Sequence, residues 1–121
     1  VKSGIILSDD DILKIGTDSL SHLDEKKALD PVCIDLRDIN GCFDFFLIAT
    51  GNSKTHCTAL AKDITKFLHE KGLKAYGRPD LNSEWIVLDF GSLIVHIFTE
   101  EMREYYQLEK LWGDAQKINI N

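Results

Sequence analysis

Residues 42–50, Cys-Phe-Asp-Phe-Phe-Leu-Ile-Ala-Thr, constrain the fold more than any other segment. Successive strand residues point to opposite faces, so Phe43, Phe45, Phe46, Leu47, Ile48 and Ala49 make such a strand apolar on both sides. A strand of this kind belongs inside a sheet with material packed above and below it. That requires a layered α/β arrangement, and the neighbouring elements must supply the layers.

The flanking sequence supplies them. Ser8 followed by Asp11 resembles a capping box, and three aspartates at 9–11 suit the positive end of a helix dipole. Ile12, Ile15, Leu20 and Leu23 share one face, which predicts a helix over 8–23, and Asp30-Pro31 prevents its continuation. Residues 32–38 and 42–50 read as strands joined by Asn40-Gly41, the dipeptide best suited to a two-residue hairpin. Ser53 is placed to cap a second helix whose stripe is Cys57, Leu60, Ala61, Ile64 and Leu68, ending before Gly72. Beyond it, 73–76 is a short strand candidate, 77–83 is a loop, and 85–90 and 92–98 form a second hairpin around Gly91. A last helix is expected over 100–112, broken near Tyr106. The order αββαβββα predicts one domain over 1–121: a mixed sheet of about five strands flanked by helices.

Composition excludes several functional classes. With 121 residues the chain suits a single core, and the longest apolar runs, such as 93–97, are far too short to cross a bilayer. Residues 1–7 lack the apolar stretch of a secretory signal. Twenty acids against 14 bases give a net charge of −6, which argues against a protein that wraps nucleic acid and leaves a basic protein partner open. Three cysteines, odd in number and without C-x-x-C spacing, predict a reducing, cytoplasmic location rather than a disulfide framework.

Candidate sites for chemistry are few. Gly51-Asn52-Ser53 lies between a buried strand and a helix start, where backbone N–H groups can hold an anion. The paired carboxylates that a metal-dependent nucleotidyltransferase places beside such a turn do not follow, since Asp35 and Asp38 point to opposite faces. A glycine turn with an N-cap serine accounts for the motif more simply, since both devices are common. His56 and Cys57 are adjacent, so their side chains diverge by about 100° on a helix, and Cys57 belongs to the apolar stripe. The four histidines are read on separate elements with no ligand spacing. No metal, cofactor or catalytic residue is expected.

The aromatic residues carry more. On strand 85–90, Ile86, Leu88 and Phe90 form one face, and Trp85, Val87 and Asp89 the other. The second face reads either as an interaction surface or as core covered by a helix. In the C-terminal segment, Tyr105, Leu108 and Trp112 share a helical face expected to pack inward, while Tyr106 and Lys110, four apart, share a face that can reach a partner.

Two ordered signatures carry a family resemblance. Asp44-Phe45-Phe46-Leu47-Ile48-x-x-Gly51-x-Ser53 is the first. Trp85-Ile86-Val87-Leu88-Asp89-Phe90-Gly91-x-x-Ile94-Val95-His96, continuing to Arg103-x-x-Tyr106-x-Leu108-Glu109-x-Leu111-Trp112, is the second and more specific. Over about 32–114 the chain resembles the Iojap family, the bacterial ribosomal silencing factors called RsfS. Phe45 stands where many relatives have Tyr. The resemblance implies a nucleotidyltransferase-like fold without its active site and without a cofactor. It further implies binding to the large ribosomal subunit through ribosomal protein L-fourteen, which blocks subunit joining and lowers translation when nutrients are scarce. Organelle relatives act in large-subunit assembly, and family proteins often self-associate as homodimers. Trp85 matches the family's interface tryptophan, Asp89 follows on the same strand face, Tyr106 and Lys110 match positions near that surface, and His96 is read as a buried polar anchor. Neither a membrane nor a specific nucleic-acid sequence is an expected partner. Two other readings stand beside it: an enzyme acting at Gly51-x-Ser53, and a homodimer whose aromatic surface is consumed by self-association.

Overall fold

The computed structural model describes residues 7–38, 44–108, 110, 113 and 116–119. Its elements are α1 (Asp9–Glu25), β1 (Leu29–Asp35), β2 (Phe45–Gly51), α2 (Lys54–Glu70), β3 (Trp85–Asp89), β4 (Leu93–Thr99), α3 (Glu100–Tyr106) and β5 (Gln116–Asn119). The sheet order is β3-β4-β2-β1-β5, so β2 occupies the middle, and all seven of its residues are buried. β1 is antiparallel to β2, with Val32 opposite Ile48, whereas β4 is parallel to β2, with Ile48 opposite His96. The sheet is therefore mixed, as the sequence predicts.

Local chemistry accounts for the two long helices. Ser8 Oγ accepts from the Asp11 N–H and the Asp11 carboxylate accepts from the Ser8 N–H, a reciprocal cap that holds the Asp11 carboxyl below the usual carboxylate range. Ser53 Oγ accepts from the His56 N–H at the start of α2. The predicted stripes, Ile12, Ile15, Leu20 and Leu23 on α1 and Cys57, Leu60, Ala61, Ile64 and Leu68 on α2, are all buried. Both helices pack on one sheet face, against Phe45, Leu47, Val95, Ile97, Ile86 and Leu88. The other face carries Val32, Ile34, Phe46, Ile48, Ile94 and Phe98, covered by Leu108, Met102 and Trp85.

Four expectations need correction. Residues 73–76 form no strand: Tyr76 alone bridges to Asp89, through one backbone hydrogen bond of 2.8 Å. The fifth strand is instead β5, which pairs antiparallel with β1, Cys33 opposite Ile118. Pro31 lies within β1 rather than ahead of it, at a register shift between Leu29 and Val32 where the missing proline N–H and the left-handed Asp30 (φ 45°) are accommodated. The C-terminal helix breaks at Tyr106 as expected, where Gln107 turns left-handed at φ 45°, but the described residues 107, 108 and 110 beyond the break are not α-helical. The Asn40-Gly41 turn, Glu109, Leu111 and Trp112 lie outside the described residues.

Gly51 is fixed by packing. A Cβ there would meet Cys57 Sγ at 2.6 Å and the Cys57 backbone nitrogen at 2.9 Å, so α2 sits on the end of β2 only because position 51 has no side chain. Gly51→Ala is expected to destabilise the fold by about 2 kcal/mol or more, through overpacking against backbone. Ser53→Ala, which removes only the cap, is expected to cost about 1 kcal/mol. Urea unfolding of the two variants checks this order.

Candidate functional site

Several N–H groups in and after the Gly51-Asn52-Ser53 turn are engaged within the chain. The Asn52 N–H donates to His56 Nδ1 at 3.0 Å, the His56 N–H to Ser53 Oγ, and the Cys57 N–H to the Ser53 carbonyl. His56 Nε2 reaches the Lys26 carbonyl at 3.0 Å, so the residue joins the start of α2 to the end of α1. Asp35 is engaged by Arg37, whose guanidinium lies 2.8 Å away and holds the carboxyl below its ordinary range. Burial pushes the Cys33 thiol up to about 12 and raises that of Cys57, so both are inert packing groups. His56 and His69 share α2 rather than lying on separate elements, but at opposite ends. Among the described residues no group of three His, Cys, Asp or Glu side chains is placed to hold a metal. No helix among them is long and apolar enough to cross a membrane.

The second sheet face is the more distinctive feature. On the edge strand β3, Ile86 and Leu88 turn inward, whereas Trp85 is half-buried and Val87 and Asp89 are exposed. The Trp85 ring lies 4.7 Å from Tyr106, 5.6 Å from Phe98 and 5.9 Å from His96, centroid to centroid. Phe46 meets His96 edge-on at 4.6 Å, and Tyr105 meets Tyr106 edge-on at 5.0 Å. The result is an aromatic row that starts at buried Phe46 and ends in solvent at Tyr105, which is 77% exposed.

Of the four site residues read from sequence, Trp85 and Tyr106 are brought into contact. Asp89 stands at the other end of β3, where its Oδ1 accepts the Gly91 N–H at 2.8 Å and shapes the hairpin turn, with Gly91 at φ 80°. Lys110 does not share a helical face with Tyr106, since α3 has already ended. It lines a cleft of about 370 Å³ together with Leu29, Asp30, Thr50, Arg103 and Lys117. The expected inward face of Tyr105 and Leu108 is split for the same reason: Leu108 is buried and Tyr105 is exposed.

Two residues outside that set organise the site. Arg103 donates through Nη1 to the Asp30 carbonyl at 2.8 Å and to Thr50 Oγ1 at 2.9 Å, tying α3 to β1 and β2. His96 accepts the Trp85 indole N–H on Nδ1 at 3.1 Å, consistent with its reading as a buried polar anchor. The signal for this pair was its place in the hairpin: Val87 faces His96, which puts Trp85 on the diagonal, within reach of an aromatic side chain.

Residues 10–121 match the family described as ribosomal silencing factor during starvation, RsfS. The ribosomal silencing factor RsfS of Halalkalibacterium halodurans is 33% identical over 115 residues, covering 94% of this chain and 96% of that protein. A crystal structure of a protein from Chromobacterium violaceum superposes with a TM-score of 0.75 at 28% identity, over 88% of each chain. The mouse protein named mitochondrial assembly of ribosomal large subunit protein 1 is 33% identical over 99 residues, 77% of this chain and 42% of its own length. The two ribosomal silencing descriptions name silencing factors, not enzymes.

Burial pushes the His96 imidazole down to about 4 from an ordinary 6.5. A depressed histidine binds its proton more readily in the unfolded chain. Its contribution is therefore complete above about pH 6.5 and is lost as the pH falls toward 4, about 3 kcal/mol in all. Stability measured by urea unfolding is expected to decline across that window, and His96→Gln, which does not titrate, is expected to remove that part of the decline.

Proposed function

Because the chain belongs to the RsfS family of ribosomal silencing factors, we propose that it binds the large ribosomal subunit through ribosomal protein L-fourteen and blocks subunit joining by occupying the joint. The observation that carries this reading is the aromatic row of the second sheet face, where Trp85 and Val87 of β3 and Tyr105 and Tyr106 at the end of α3 are exposed or half-exposed. Such an anchor is typically worth ~2 to 4 kcal/mol when a partner desolvates it.

The charge pattern supports a basic partner. The chain carries a net charge of −6, which speeds encounter with a positive surface and disfavours loose attachment to RNA phosphates. In this reading Asp89, whose carboxylate is exposed at the hairpin end, pairs with a Lys or Arg of the partner, and Lys110 meets an acidic group at the rim. Silencing then needs bulk alone. No bond is made or broken, and no cofactor takes part. The same surface, in a homodimer of the free protein, would be withdrawn from the ribosome.

A role in large-subunit assembly is the second reading, favoured by the name of the mouse relative. It uses the same surface and differs in the particle bound, a precursor rather than a finished subunit.

The test is co-sedimentation with purified large subunits, followed by addition of small subunits. The native chain is expected to pellet with large subunits and to reduce joining. Val87→Glu, which places a charge on an exposed position of the edge strand, and Trp85→Ala are expected to weaken binding at least tenfold while retaining the native circular dichroism. Variants that pellet like the native chain would put the contact elsewhere. A native chain that stays in the supernatant would end the ribosomal reading.

A further inference from the structure

Tryptophan has one hydrogen-bond donor, the indole Nε1–H, and no acceptor. In Trp85 that donor is directed inward, to His96 Nδ1 at 3.1 Å. An imidazole nitrogen can accept only if it carries no proton, so His96 is neutral with its proton on Nε2. The ring is 6% exposed, and Nε2 is buried with no hydrogen-bond partner among the described residues. A buried polar group without a partner is costly, and each one calls for a reason. Here Phe46, edge-on at 4.6 Å, and the β4 backbone fix the ring so that its Nδ1 side faces the indole. One nitrogen goes unpaired in an orientation that serves the other.

We propose that His96 is the positioning residue of the Trp85 surface: by accepting the indole N–H hydrogen bond it holds the ring on the sheet and leaves a partner only ring carbon to touch. The partner's matching spot is therefore apolar and offers no hydrogen-bond acceptor to the indole. An acceptor pressed against Trp85 would lose its water and gain no donor in return. This specifies the partner chemistry of the ribosomal reading and rests on it.

Two measurements test the proposal. In 1H–15N spectra, with Trp112→Phe used to assign the two indole signals, the Trp85 indole proton of the free native protein is expected to exchange slowly with solvent. It is expected to exchange quickly in His96→Leu and to be protected again in His96→Gln, whose side-chain oxygen can accept. Co-sedimentation with large subunits is expected to follow the same order. His96→Gln should bind within about threefold of native, and His96→Leu at least tenfold more weakly, although leucine suits a buried site better. A packing role alone predicts the reverse ranking. Equal or tighter binding by His96→Leu would overturn the proposal, because a freed indole N–H would then be neutral or useful to the partner. So would fast exchange of the Trp85 proton in the native protein. Failure of the native chain to pellet, with its indole proton still protected, would instead remove the ribosomal reading and leave the His96 lock standing.

Discussion

Burying both faces of β2 requires cover on each side of the sheet, and among the described residues long helices cover only one side. α1 and α2, 17 residues each, lay their apolar stripes on the first face. The second face receives the seven-residue α3, whose own residues are not buried, together with Leu108 and Met102. Large aromatic side chains complete that cover where backbone is lacking. Phe46, Phe98, Trp85 and Tyr106 fill the space a third long helix would occupy, and being large and few they leave a partly exposed apolar strip. The exposed aromatic strip is thus a consequence of how the core is closed.

Features set by neighbours in sequence were legible in it. Ser8 and Ser53 cap the helices because their hydroxyls reach N–H groups three residues on, a purely local geometry. The core stripes of α1 and α2 follow from helical spacing, and the burial of β2 from its unbroken apolar run. The inward face of β3 followed from simple alternation. Features set by tertiary partners were not legible. Gln116–Asn119 has no strand-like alternation and is a strand because β1 offers it an open edge. Residues 73–76 have suitable composition but gain only one bridge. The left-handed Gln107 parts Tyr106 from Lys110, which their i, i+4 spacing alone places on one helical face.

The candidate site divides along the same line. Trp85 and its strand face came from alternation and from the family signature. The burial of His96 was legible too, but its hydrogen bond to Trp85 came only from the fold, because it runs diagonally across a hairpin between residues 11 apart. The Gly51-Asn52-Ser53 turn shows the converse. In sequence it suggests an anion cradle, yet His56 and Ser53 take up donors that a phosphate would need. A side chain four residues away has closed the turn into a structural joint between α1 and α2.

Arg103 gives the surface a mechanical property. Its guanidinium spans from α3 to the Asp30 carbonyl of β1 and the Thr50 hydroxyl of β2, the most deeply enclosed strand of the sheet. α3 carries Tyr105 and Tyr106 at its end. Force applied to those rings is therefore delivered to the middle of the sheet through a two-strand bracket, instead of being absorbed by bending of a short terminal helix. The two tyrosines at the end of α3 are thus tied to two neighbouring strands at once, and neither strand can shift without the other.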